Sequence, residues 1–140
     1  MDGRLPPTGE RLRFDRFVLD RAHDGRCRAR VELTWRGTER FIGEAEGMAS
    51  ATGELRCAAQ ATLTALEQVL PGGEPFELLG VKAVKAFDET VVIVSLALPS
   101  DPRGQRMVGS CLAGDEIARG AALAVLNATN RVMGNRLHMR

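Results

Sequence analysis

The sequence predicts an α+β fold built from two βββα repeats, an antiparallel sheet with two helices packed on one face, and three observations predict it. From Cys27 to Trp35 every odd position is apolar (Cys27, Ala29, Val31, Leu33, Trp35), while Arg28, Arg30, Glu32 and Thr34 alternate with them, the period of a half-buried strand. Leu55, Ala59, Leu63, Leu66 and Leu70 then recur at spacings of three and four, the stripe of an amphipathic helix. After Pro71-Gly72-Gly73 the same order of strand-like and helix-like segments begins again.

Taken in order, residues 1–11, with Pro6-Pro7 and several charges but no apolar period, read as a flexible leader. Phe14 to Ala22 is the hairpin partner of the Cys27 strand across the turn dipeptide Asp24-Gly25, and Gly37-Thr38 permits a reversal into a third strand over Glu39 to Glu46. Met48 to Gly53 is small and polar, and a helix follows from Glu54 to Leu70. In the second half Phe76 to Phe87 reads as a strand, Asp88-Glu89 as a turn and Thr90 to Leu98 as a strongly apolar, β-branched strand. Gln105 to Leu112 is the last strand. Asp115 to about Met133 is a helix that Asp115 is placed to cap, with 134–140 as a tail. The chain is thus expected to be a single domain over 12–133, with units at about 12–73 and 74–133.

The 140 residues suffice for one hydrophobic core, and 44% hydrophobic with 26% charged residues excludes a disordered chain. A net charge of +1 calls for no polyanionic partner, and the sequence has neither a membrane-length apolar run nor a signal peptide at its start, so a cytoplasmic setting is expected. Cys27, Cys57 and Cys111 lack metal-site spacing and His23 and His138 are the only histidines, so no metal, no cofactor and no disulfide framework are expected. All three cysteines fall at apolar-face positions, as buried structural thiols do.

The halves align directly: Ala61-Thr62-Leu63-Thr64-Ala65-Leu66 lies over Ala121-Ala122-Leu123-Ala124-Val125-Leu126 without a gap, and Gly43-Glu44-Ala45-Glu46-Gly47 is echoed by Gly109 to Gly114. With this order of elements, the glycine-bracketed strand ends, and Asp115, Ile117, Ala118, Ala121, Leu126, Asn127, Asn130 and Arg131 along the last helix, the stretch from Val31 to Met133 resembles the C-terminal regulatory domain of the 2-isopropylmalate synthase family. The resemblance implies two βββα units, an allosteric and dimerisation role without catalysis, and a small amino acid or carboxylate bound where strands run into helices. The residues it points to are Gly43, Ala45, Gly47, Ala49, Ser50, Gly109, Cys111, Gly114 and Asp115. This chain departs from the family in carrying Met48-Ala49-Ser50-Ala51-Thr52-Gly53 where members have Pro-Val-Asp, and 140 residues do not hold the catalytic barrel. The resemblance therefore implies a regulatory module acting as a homodimer or docked on a partner enzyme.

Elementary chemistry agrees with such a site, because glycine lets a backbone approach a ligand closely and the free amides of a helix start favour a carboxylate. The same residues also have a purely structural reading as turns, cap and packing. Two other readings are open. Glu44, Glu46 and Asp115 at the junctions would suit a small enzyme if they converged, and Arg26, Arg28 and Arg30 would suit RNA if they stood free. The parity of Trp35, opposite the arginines, and the nearby Glu32, Glu44 and Glu46 argue for a solvated ion-paired face instead, so no nucleic-acid and no membrane partner is expected. A homodimer is expected because Ile42, Val92, Val94, Leu96 and Leu98 make the strands too apolar for every sheet face to be wet.

Overall fold

The computed structural model describes residues 12–35, 38–70, 75–104 and 106–138, with side chains as far as 130. The leader expected at 1–11 and the Pro71-Gly72-Gly73 break lie outside the described residues. The strands β1 (Leu12–Arg21), β2 (Arg26–Trp35) and β3 (Glu39–Met48) lead into α1 (Ala51–Glu67), and β4 (Glu77–Ala86), β5 (Glu89–Ala97) and β6 (Arg106–Ala113) lead into α2 (Ile117–His138). This is the α+β arrangement of two βββα units. The strands sort into two three-stranded antiparallel sheets, β1-β2-β3 and β4-β5-β6.

The two sheets repeat one another in register. Phe17, Val31 and Gly43 lie side by side across the first sheet, and Val81, Val94 and Gly109 across the second. Each first strand is interrupted at the same point, between Phe14 and Arg16 and between Leu78 and Gly80, so Asp15 and Leu79 occupy equivalent irregularities. The inner faces carry Cys27, Ala29, Val31, Leu33 and Trp35 in one sheet and Val92, Val94 and Leu96 in the other, all buried.

Each helix lies on the second and third strands of its own unit, and the helices pack on each other. Small residues set the approach. A Cβ on Gly43 would overlap the Ala61 carbonyl and sit 2.6 Å from the Ala65 nitrogen, and one on Gly109 would overlap the Ala124 carbonyl and sit 2.7 Å from Ala128 Cα. Ala61 and Ala65 are therefore the structural counterparts of Ala124 and Ala128, not of Ala121 and Val125. The gap-free helix alignment read from sequence is one helical turn out of register, because alanine-rich helices match at more than one offset. Fully buried leucines, Leu33, Leu63, Leu66 and Leu96, fill the interior, each contributing about 2 kcal/mol. The units also clasp each other: α1 touches β4, and Arg119 of α2 lies over the Phe14 ring of β1 at 5.0 Å from its centroid.

Both helices differ from expectation at their starts. Ser50, with extended backbone, accepts the Gly53 amide at 3.0 Å, so α1 starts at Ala51, a turn before Glu54. α2 begins at Ile117, and Glu116 is the residue whose carbonyl accepts the first helical bond, from Gly120 at 3.2 Å; Asp115 stands exposed outside it. α2 also continues past Met133 to His138, since Gly134 weakens a helix without removing a backbone donor. No helix among the described residues is long and apolar enough to cross a membrane.

Candidate functional site

The first strand-to-helix junction is a built structure. Gly47 pairs with Cys27 across the β2–β3 ladder, and a Cβ at Gly47 would lie 2.6 Å from the Cys57 sulfur of α1. The β1–β2 hairpin reverses through Gly25, at φ 81°, where glycine avoids the strain of a left-handed backbone. Gly25 offers its carbonyl to the Ala49 amide at 2.8 Å, which ties the hairpin to the junction. Arg21 then grips Glu54 with two hydrogen bonds of 2.5 and 2.8 Å. Those bonds hold the Glu54 carboxyl below the ordinary glutamate range. Gly53 closes the turn, since a Cβ there would overlap the Met48 carbonyl.

Beside this junction lies an open pocket of about 200 Å³ lined by Asp20, Arg21, Ala22, Asp24, Arg26, Arg28 and Glu46. Its cations and carboxylates are already matched in part: Arg28 pairs with Glu46, which lowers the Glu46 carboxyl, and Arg21 is engaged by Glu54. Arg26 is the loosest of them, reaching Glu46 at 4.0 Å.

The residues singled out from the sequence therefore divide. Gly47, Ala49 and Ser50 come together at the start of α1, with Ala45 half-buried nearby in β3 opposite Ala29. Gly43 and Gly109 sit mid-strand against helix backbones, so they are packing glycines with no room for a ligand. Cys111 is half-buried in β6 opposite Val92, rather than fully buried like Cys27 and Cys57. Gly114 and Asp115 follow β6 in the other unit, with open space around Gly114. Gly53, Arg21 and Glu54 are the junction residues that sequence reasoning missed. In the sequence Gly53 closes the small, polar segment before the expected helix, and nothing local marks Arg21 and Glu54 as partners.

The chemistry open to these groups is limited by their placement. Glu44 and Glu46 face outward and pair with Arg30, at 2.9 Å, and with Arg28, while Asp115 belongs to the second unit; the three carboxylates do not form the acid/base cluster an enzyme reading needs. Arg28 and Arg30 are neutralised by the same pairs, and Trp35 points inward, 4% exposed. Among the described residues no group of three or more His, Cys, Asp or Glu is placed to hold a metal ion.

No protein-family model matches the chain, and no curated protein matches it. The assignment of function therefore rests on the geometry.

The geometry is distinctive on the outer faces of the two sheets. On the first, Arg30 and Arg40 both donate to Glu32, at 3.3 and 2.7 Å, and Thr34 donates to Asp15 at the strand irregularity. The bonds from Arg40, and then Arg30, outweigh partial burial and keep the Glu32 carboxyl low. On the second, the outer face holds Val84, Val91, Ile93, Val108 and Leu112, with Val108 65% and Leu112 66% exposed, where the first has Asp20, Arg28, Arg30, Ile42 and Glu46. At the adjoining hairpin tip Phe87 is 97% exposed with φ 54°, a conformation a bulky residue rarely adopts. Of the residues that suggested a wet-face problem from sequence, Val92, Val94, Leu96 and Leu98 are core residues and Ile42 is exposed on the first sheet; the apolar surface of the second sheet is made by Val91 and Ile93 with Val84, Val108 and Leu112 of the flanking strands.

Proposed function

We propose that this chain is a non-catalytic assembly and regulatory module that pairs with a second copy of itself through the outer face of the β4-β5-β6 sheet. The apolar outer face of that sheet carries the proposal, because the same scaffold in the first unit keeps a charged face. The fold does not require exposed Val108 and Leu112, so burial against a partner is what favours them. A second copy suits this face by shape. Across its rows large and small residues alternate, Lys82-Ile93-Ser110 beside Gly80-Ser95-Val108. Stacking two copies with strands reversed sets Ile93 over Ser95, Val108 over Ser110 and Lys82 over Gly80, so in these two central rows each bulky side chain meets a small one, while Leu112 falls over Arg106 at the edge.

The proposal agrees with the resemblance to the 2-isopropylmalate synthase regulatory domain, including its cytoplasmic setting and a partner enzyme as an alternative occupant. The ligand half of that resemblance is placed by us at the first junction alone. There the matched charges around the open pocket suit a small zwitterion, an amino acid, better than a simple anion. A thermal-shift screen against amino acids and small carboxylates tests it: a specific ligand raises the melting temperature by mass action, and the shift should vanish in Arg26→Ala. No shift with any amino acid removes the ligand half and leaves assembly.

A further inference from the structure

Two of the three cysteines meet in the interior under the first junction. Cys27 of β2 is 2% exposed and Cys57 of α1 is 4% exposed, and their sulfurs lie 3.5 Å apart. Cys27 also points its thiol at the Met48 carbonyl, at 3.4 Å. The approach depends on Gly47, because any side chain there would press on the Cys57 sulfur. Packing alone does not call for this pair. In the second unit the positions of Cys27 and Gly47 are held by Thr90 and Ala113, and Gly120 takes the place of Cys57, its Cβ position lying 2.9 Å from the Ala113 Cβ. One scaffold thus fills the same space with a glycine and a methyl in one unit, and with a glycine and a thiol in contact with a second thiol in the other.

We propose that Cys27 and Cys57 are a two-electron redox site, closed to a disulfide by a hydroperoxide such as hydrogen peroxide and reopened by a dithiol reductant. One sulfur attacks the peroxide O–O bond, becomes a sulfenic acid and releases one water. The second thiol then displaces the hydroxyl from that sulfur as a second water, and the S–S bond forms. Two thiols are oxidised by two electrons, and one peroxide is reduced to two waters. The sulfurs start from contact distance, 3.5 Å, and the bond would link residues 30 positions apart. It would pin the start of α1 to the start of β2 beneath the turn at 47–50, and so fix the junction that carries Ala49 and Ser50. Burial pushes the Cys57 thiol up to about 11, so the reaction is slow at neutral pH and quickens as pH rises. Thiols this buried exclude a bulky disulfide as the oxidant, which is why a small hydroperoxide is named. Cys111, half-buried on the other sheet, is the internal control.

The test treats the folded full chain with hydrogen peroxide, quenches with N-ethylmaleimide under denaturing conditions and maps the peptides by mass. The expected product is a monomeric chain lighter by two hydrogens with Cys27 joined to Cys57 and Cys111 unpaired, which dithiothreitol reverses. Its melting temperature should rise by roughly 5–10 °C. Cys111→Ser should leave product and shift intact, and Cys57→Ala should abolish both. Oxidation in denaturant supplies the comparison, because there pairs with Cys111 form as well. Native oxidation that leaves Cys27 and Cys57 free, that stops at a sulfinic acid on either, or that gives the same mixture as the denatured chain would overturn the proposal.

Discussion

The two βββα units share register, strand irregularity and helix approach, yet their outer faces are opposites. Arg28, Arg30, Glu44 and Glu46 on the first sheet stand where Val91, Ile93, Ser110 and Leu112 stand on the second. A repeat of this kind is its own control. Whatever both units keep, such as the glycines at 43 and 109, belongs to folding. Whatever they do not share belongs to the work of one unit. By that measure the apolar face is where we propose a partner docks, while the ion-paired face, the thiol pair and the capped turn at Ser50 set the first unit apart.

The largest effect should come from breaking what the units share. Gly43→Val and Gly109→Val each drive a side chain into helix backbone, and either should cost about 3 kcal/mol or more, read as a lower urea midpoint or loss of the folded state. Equal losses in the two variants sharpen the equivalence, and a tolerated substitution in one unit breaks it. Next in size is the contrast of the outer faces. Val108→Glu should weaken self-association at least tenfold, whereas Ile42→Lys, at the equivalent position of the first sheet, should leave both assembly and stability nearly unchanged.

Acid should distinguish the faces as well. Glu32, Glu46 and Glu54, all in the first unit, are held below their ordinary value of 4.5 by arginines. Since the folded state lowers these values, the stability they contribute is complete above pH 4.5 and is lost as pH falls through the lowered values. Denaturant melts across that range should show Glu46→Gln with a shallower acid loss than the unmodified chain. The smallest effect belongs to the hairpin tip. Phe87→Gly relieves a positive φ and should stabilise the fold by about 1 kcal/mol while removing an exposed aromatic from the apolar face, so stability and association should move in opposite directions.

Much of the fold was legible in the sequence because periodicity reports burial directly. The alternation at Cys27–Trp35 and the stripe from Leu55 to Leu70 need no partner to be recognised. Which apolar residues of β5 face outward was not legible, since Val91 through Leu98 are apolar or small on both parities and only the pairing with Gly109 and the helix above it assigns a side. The helix register was hidden for a related reason: Ala61, Ala65, Ala121, Ala124 and Ala128 are chemically alike, and the contact with a strand glycine distinguishes them. At the first junction, Gly47 and Ser50 are marked in the sequence by the resemblance and by the glycine-ended strand running into a helix. Arg21 and Glu54, 33 positions apart, were not, because nothing local marks them as a pair.

The decisive experiment is sedimentation of the full chain at micromolar concentration, unmodified and as Val108→Glu, which sets a carboxylate over Ser110 in the middle of the stacked face. The unmodified chain should be a dimer and the variant a folded monomer. A folded monomer in the first case, or a dimer that survives Val108→Glu unchanged, would overturn assembly through this face.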